Sequence, residues 1–389
     1  MSNRTDETYQ VAIAGGGPVG LFLACCLYES GISCVIFEKR LNPIAHSRSI
    51  GIQPVSLELF EKTGLAKTFI DEGIKVQEGR AFCHEKPIGR ISFRSCPPPY
   101  PFILTLPQHR TEKILARHLC DLDESILQRG TKVTAVEESN HYVQLQIDRQ
   151  GQKKRVQAKF VVGCDGKKSF IRQAAGIDFT GKIYDDTYIM GDFTDNTSLG
   201  CAAGIFLCRQ GVIESFPLSK QKRRWVVKTE AYQPKITRED IERRIQQRIN
   251  HDLRGTENFM LSSFGVQKKF AKTMNKNRIL LAGDAAHVIS PIGGQGMNLG
   301  WLDAWDLSQV LQKKLADGKP GRNQFEAYSR RRLKIAGKAA RRAEFNMMMG
   351  RETNFLIAKK YFLRGLLKSP ASYLLARLFT MRGLKRYVF

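Results

Sequence analysis

Three glycine-rich segments of this sequence have residue types and spacing suited to holding a phosphorylated cofactor. Gly15-x-Gly17-x-x-Gly20 follows a short apolar run and opens a mostly apolar segment. Glycines there allow a tight turn, close approach of backbone to a pyrophosphate, and close packing of helix on strand. The helix N-terminus supplies free N–H groups and partial positive charge to the phosphates. Glu38 stands 18 residues beyond Gly20, at the end of a second β-rich run, where a carboxylate can hold ribose hydroxyls. Further along, Gly163-Cys164-Asp165-Gly166 closes one strand-like run and Gly283-Asp284-Ala285-Ala286-His287 closes another. Pro291 and Gly293-Gly294-Gln295-Gly296-Met297-Asn298 then lead into a helical pattern. A nicotinamide dehydrogenase normally needs only the first of these units and a catalytic domain, so the other two point elsewhere.

The elements that must position these residues follow from apolar periodicity. Tyr9–Ala14 and Ser33–Phe37 are expected as strands flanking a helix over Val19–Ser30, a parallel βαβ unit. Helices are expected at Ser56–Gly64 and Thr111–Gln128, and strands at Thr131–Glu137, His141–Asp148 and Val156–Val162. From about Gly181 to Lys272 short apolar runs alternate with polar turns, at Tyr188–Phe193, Ala203–Cys208, Val212–Phe216 and Trp225–Glu230. That texture reads as an antiparallel sheet, interrupted by a charged helix over Arg238–Leu253. Residues 75–105, with Pro97, Pro98, Pro99 and Pro101, fit the same layer. Arg278–Ala282 returns to a buried strand and Gly296–Lys313 to a helix. The expected fold class is therefore α/β: a Rossmann-like domain of residues 1–74, 106–180 and 273–340, interrupted by an antiparallel-sheet substrate domain of residues 75–105 and 181–272.

Composition narrows the class. The 389 residues are 42% hydrophobic and 25% charged, a globular balance. Nine cysteines form no Cys-x-x-Cys pair, which speaks against a zinc site or disulfide framework and for a reducing compartment. No His/Glu cluster has metal-ligand spacing, so no metal is expected. Val11 to Tyr28 is an uncharged run of 18, but its glycines and the polar residues before it do not match a secretory signal or a membrane span. A cytoplasmic location is expected.

With these motifs in order, residues 9–340 resemble the single-component FAD-dependent aromatic hydroxylases, the p-hydroxybenzoate hydroxylase-like monooxygenases. The resemblance implies FAD as bound cofactor, with NADPH or NADH visiting transiently as reductant. It implies a reaction with O2 through a flavin hydroperoxide that places one oxygen atom on an aromatic or enolic carbon. Gly15, Gly17, Pro18, Val19 and Gly20 would hold the pyrophosphate, and Glu38 and Lys39 the adenosine ribose. Asp284 would hydrogen-bond the ribityl chain, and Pro291 with the backbone of Gly294, Gly296, Met297 and Asn298 would border the isoalloxazine. Asp165 belongs to the motif that serves FAD and the transient nicotinamide, while Arg48, Gln108 and Val133 match positions touching FAD in relatives. A helix starting at Gly296 would aim its positive end at the anionic edge of reduced flavin, worth up to about 2 kcal/mol.

Several residues are better read as scaffold. His287, Cys25 and Cys26 are expected to pack or brace, and Trp301 and Trp305, four apart, to lie in a helical core. No side chain is nominated as acid or base. A Gly-x-Ser-x-Gly elbow and the Trp-x-Trp of flavin halogenases are absent.

The segment from Arg322 to Phe389 carries a net charge of +14 out of +25. Helices are expected at Gln324–Met349, Thr353–Leu367 and Ser372–Arg382, with residues 341–389 forming a basic extension. At this length the thioredoxin-like C-terminal domain of phenol hydroxylases is not expected, and the size and terminal helices resemble the tetracycline-inactivating subgroup. An aromatic or polyketide substrate is therefore expected. The alternatives are a membrane-surface flavoprotein acting on a quinone-like or isoprenoid substrate through the basic helices, and an oxygen-independent flavin reductase. Packing of these helices on the FAD domain is preferred to membrane contact. No specific nucleic-acid partner is expected, since cations interleave with helix-forming apolar residues and no binding motif occurs.

Overall fold

The computed structural model describes residues 7–44, 49–317, 322–368 and 371–382. In chain order it opens with β1 (Glu7–Ala14), α1 (Pro18–Glu29), β2 (Cys34–Glu38), β3 (Gly51–Ile52), α2 (Pro54–Lys62) and α3 (Ala66–Glu72). A first excursion follows: β4 (Ile74–Val76), β5 (Glu78–Cys83), β6 (Lys86–Ser92) and β7 (Ile103–Thr105). The chain returns through α4 (Gln108–Leu122), β8 (Leu127–Arg129), β9 (Thr131–Glu138), β10 (Val143–Arg149), β11 (Gln152–Gly163) and α5 (Phe170–Ala174). The second excursion comprises β12 (Phe179–Thr194), β13 (Ala203–Leu207), β14 (Ile213–Leu218), β15 (Lys222–Thr229), α6 (Arg238–Ile249) and β16 (Asn258–Ala271). Last come β17 (Asn275–Lys276), β18 (Ile279–Leu281), β19 (His287–Val288), α7 (Gly296–Asp317), α8 (Arg322–Gly350), α9 (Leu356–Lys368) and α10 (Ala371–Phe379).

Two large sheets result. The first runs β17-β18-β11-β1-β2-β8, with the β9–β10 ribbon attached to β11. β18, β11, β1, β2 and β8 are parallel neighbours, and the central strands carry unbroken apolar runs such as Cys34–Phe37 of β2, a strand buried along its whole length. α1 is apolar all round because it is covered on both sides, by the sheet and by α7 and α4. Pro18 occupies its first turn, where a missing N–H costs nothing.

The second sheet has the order β19-β16-β12-β15-β14-β13-β5-β6. One face packs on α6 through Ile189, Phe193, Trp225, Ile241 and Ile245. Thr237 and Asp240 form a reciprocal cap that starts α6. The sheet departs from an all-antiparallel layer at one seam, where β13 and β5 pair in parallel. These two strands come from separate excursions, so no tight hairpin dictates their direction. β16 pairs with β12 along most of its length, a strand whose apolar residues are broken by Ser262-Ser263 and Gln267-Lys268-Lys269 and so show no sustained alternation.

The C-terminal helices differ from expectation. α8 lies on α7, but α9 and α10 pack on β6, at the edge of the second sheet rather than on the cofactor layer. Thr111–Gln128 also divides: its helix stops at Leu122, and Leu127–Arg129 extends the parallel sheet. Among the described residues no helix is long and apolar enough to cross a membrane, and no group of His, Cys, Asp and Glu could hold a metal ion.

Candidate functional site

The carboxyl ends of β1 and β11 place the first two glycine motifs side by side. Gly15 has φ +107°, and a Cβ there would come within 2.5 Å of the Cys164 carbonyl oxygen. A Cβ on Gly20 would lie 2.1 Å from the Gly15 carbonyl oxygen. Both glycines are required by the packing of strand and helix. Gly17 differs: a Cβ there meets no atom within 4 Å, so its missing side chain leaves open space at the start of α1. Glu38 ties the turn to β2 by accepting the Gly16 N–H at 2.7 Å, while the Arg40 backbone and side chain donate to its other oxygen at 2.9 Å. Burial pushes the Glu38 pKa up, but the Arg40 and Gly16 hydrogen bonds outweigh this and hold it below the ordinary carboxylate value.

Asp165 caps α5 with one oxygen, which accepts the Phe170 and Ile171 N–H groups at 2.7 and 3.1 Å. Its other oxygen, Oδ1, is buried and has no partner among the described residues. Asp284 projects from the Gly283–Ala285 turn into the same space. Its carboxylate is exposed to the cavity yet lies deep within the molecule. That burial raises its pKa, opposed by His287 and Lys167 and reinforced by Asp303. The turn is braced from behind: Asp303 accepts the Gly283 N–H at 3.0 Å and pairs with His287 Nε2 at 2.6 Å and Arg332 Nε at 2.7 Å. His287 is thus a brace, as its position suggested.

These groups border a cavity of about 990 Å³. At one end it is lined by Gly15, Gly17, Pro18, Val19, Glu38 and Lys39. Gln108, Val133, Asp165 and Asp284 also line it, as do Pro291, Gly294, Gly296 and Met297 around the start of α7. Beyond them the cavity opens against the second sheet, at Ile205, Phe216, Val226 and Phe264, and is roofed by Met349, Leu366, Leu367 and Phe379 of α8, α9 and α10.

Two expected site residues serve the scaffold around the cavity, and a third is not described. Gly20 serves packing. Asn298 is fully buried: its Oδ1 accepts from Gln53 N and Ser56 Oγ, and its Nδ2 donates to the carbonyls of Gly51 and Gly294. It fixes the loop bordering the cavity rather than facing the cavity itself. Arg48 lies outside the described residues. Trp301 is core, its Nε1 donating to the Pro18 carbonyl at 3.0 Å.

The residues fit an elongated, phosphorylated ligand. The space at Gly17, the uncapped first turn of α1, and the orphaned oxygens of two residues that line the cavity, Asp165 Oδ1 and Gln53 Oε1, are complementary to an anion flanked by hydroxyl and amide donors. The sequence pattern of the family described as FAD binding domain matches residues 8–343. The chain belongs to the FAD-binding domain family. FAD is the cofactor this fold holds, and its length suits a cavity running from β1 to α7.

Relatives of this FAD-binding chain are oxygenases by name. It is 33% identical over 319 residues to the uncharacterised aromatic compound monooxygenase YhjG of Bacillus subtilis (strain 168), covering 80% of this chain and 63% of that protein. It is 31% identical over 326 residues to the 12-dehydrotetracycline 5-monooxygenase/anhydrotetracycline 6-monooxygenase of Streptomyces rimosus, covering 80% and 64%. The chain thus spans less than two thirds of the length of these relatives. The fold also matches p-nitrophenol 4-monooxygenase PnpA from Pseudomonas putida DLL-E4, with a TM-score of 0.87, 22% identity, and 98% and 99% of the two chains covered.

Motif spacing revealed the glycines and the acids beside them. It missed Gln53, Asp303 and Arg332, which act through contacts remote in sequence. It also missed Glu214, whose signal was a lone acid inside the apolar run Val212–Phe216.

Proposed function

We propose that this protein is an FAD-dependent, NADPH- or NADH-consuming monooxygenase acting on an aromatic or enolic small molecule. Overall, substrate, O2, reduced nicotinamide and a proton would give hydroxylated substrate, water and oxidised nicotinamide. The observation that carries the reading is the continuity of the cavity, from the glycines at β1 to an apolar chamber under the second sheet.

FAD, when bound, supplies the two-electron and oxygen chemistry. The protein's own part is to hold and orient. Gly15, Gly17 and the start of α1 would take the pyrophosphate, and Glu38 and Lys39 the adenosine ribose. Gln108, Val133 and Asp165 would line the path of the cofactor, and Asp284 would accept from the ribityl hydroxyls. Pro291, Gly294, Gly296 and Met297 would border the isoalloxazine, on a loop that Asn298 fixes through four hydrogen bonds. The glycines let backbone lie against a flat ring, and the α7 N-terminus favours negative charge beside it. The roof of α8, α9 and α10 would exclude water from the reacting carbon. The test is to purify the protein with FAD and follow nicotinamide oxidation and O2 uptake together, across phenols, quinone precursors and tetracyclines. A substrate that stimulates both in equal amounts supports the reading.

A second reading places the same flavin site at a membrane surface, on a quinone-like or isoprenoid substrate. It draws on α9, where Phe355 just before the helix, Ile357 and Tyr361 are 78%, 73% and 62% exposed beside Lys359, Lys360 and Arg364. Salt-sensitive co-sedimentation with anionic phospholipid vesicles would establish it.

A further inference from the structure

The wall of the substrate chamber is mostly apolar, with Glu214, Arg80, Arg224 and Gln267 of the second sheet among the residues that line the cavity. Register sets Glu214 of β14 between Ile205 of β13 and Val226 of β15. Its chain neighbours Ile213 and Ser215 are fully buried on the opposite face, where Ile213 packs with Ile241 and Ile245 of α6. Strand alternation therefore turns the Glu214 side chain into the chamber, which it lines.

The charges around Glu214 already have partners. On β15, Arg224 forks onto Asp192 of β12 at 2.6 and 2.8 Å. Lys228 of β15 and Arg351, just after α8, lie 3.6 and 2.7 Å from Asp186 of β12. Arg80 of β5 holds Glu78 at 2.7 Å, and Lys359 of α9 donates to the Arg351 carbonyl at 3.3 Å. Near the C-terminal end of α8, Glu344 pairs with Lys268 of β16 at 2.7 Å. The roof over the chamber contributes Met349, Leu363, Leu366, Leu367 and Phe379, none of them charged. On β12 the buried Tyr188 hydroxyl has no partner among the described residues, and Glu214 is the first of the charges acting on it. Glu214 itself takes no hydrogen bond from any described residue. Burial alone raises its pKa to about 7.

We propose that Glu214 is the specificity-determining residue of the chamber, selecting neutral hydroxyarenes or enols whose O–H donates to its carboxylate and rejecting aromatic carboxylates. The proposal rests on the monooxygenase reading only in taking this chamber as the substrate site. A donor satisfies an acid that has no hydrogen-bond partner among the described residues, whereas a second carboxylate would put two like charges together away from water. A hydroxyl suits the site better than an ammonium. A single carboxylate is too little to replace the water around the three N–H donors of an ammonium.

The test uses two probes of one shape, 2-naphthol and 2-naphthoate, titrated into the FAD-loaded protein at about pH 5.5 and about pH 8.5, either side of the Glu214 titration. Binding is read from naphthyl fluorescence, which needs neither turnover nor flavin. 2-Naphthoate is ionised and 2-naphthol neutral at both values, so the change belongs to the protein. For the wild type, 2-naphthoate should bind about tenfold or more weakly at the higher pH while 2-naphthol changes less than about twofold. Glu214→Gln should abolish the pH dependence for 2-naphthoate, with the melting temperature of the protein reporting that the fold is kept. Equal 2-naphthoate affinity at both pH values in the wild type overturns the inference, as does an unchanged dependence in Glu214→Gln. Failure of the flavoenzyme reading would show separately, as protein that takes up no FAD.

Discussion

The Asp303 carboxylate accepts the Gly283 backbone N–H at 3.0 Å and, through its other oxygen, holds the buried Arg332 guanidinium at 2.7 Å. A fully buried acid on α7 thus shapes the turn that presents Asp284, and a cation on α8 neutralises it. Burial would push the Asp303 pKa up, but His287 and Arg332 hold it below the ordinary carboxylate value.

Asp303→Asn should therefore destabilise the protein strongly, by about 3–5 kcal/mol, because it leaves Arg332 buried without its counter-charge. Chemical denaturation of the FAD-free protein reads this directly. The pH dependence follows in sign. A depressed folded pKa stabilises above the unfolded value, so this contribution should be present at neutral pH. It should be lost as the pH falls below about 4, and Asp303→Asn should lack that loss.

Gly17→Ala and Gly20→Ala should separate cofactor room from packing. The first adds a methyl to open space at an ordinary φ, so stability without FAD should change by less than about 1 kcal/mol. FAD affinity should fall by about tenfold or more, because that space is where the pyrophosphate would lie. Gly20→Ala forces a Cβ onto the Gly15 carbonyl oxygen and should destabilise the protein itself, by about 1–3 kcal/mol or more. Thermal melts beside flavin titrations check both.

Asp284 should show opposite effects on stability and binding. Its pKa is raised by burial, so its ionised form opposes folding when FAD is absent. Asp284→Asn should melt higher than the wild type near neutral pH without FAD, and the difference should shrink as the pH falls through the raised pKa. The same variant should bind FAD more weakly. A lower melting temperature without FAD would contradict this account of the residue.

If α9 is only a roof, Ile357→Asp and Tyr361→Asp should leave both the melting temperature and vesicle binding unchanged, since these side chains lie mostly in water. If it is a membrane contact, wild-type protein should sediment with anionic vesicles and the double variant should not.

Legibility followed locality. The βαβ opening was readable because Gly15, Gly17, Gly20 and Glu38 act within one supersecondary unit of fixed spacing. The Gly283-to-Asn298 segment was readable for the same reason, but not that Asn298 spends its side chain on Gly51, Gln53 and Ser56, some 245 residues away in sequence. The seam between β5 and β13 was hidden because parallel pairing of separate excursions leaves no turn signature. The tail was legible as amphipathic helices, whereas their target was not, since an apolar face such as Leu363, Leu366 and Leu367 fits either layer. Glu214 needed the sheet register before its isolation could be seen.

The most direct test of the central claim is mass spectrometry of the product formed under isotopically heavy O2, with FAD-loaded protein, NADPH and a substrate that stimulates its oxidation. The account expects the product to gain one oxygen atom, carrying the heavy label. Nicotinamide oxidation that proceeds equally well without O2, or a product that gains no labelled oxygen, would contradict it.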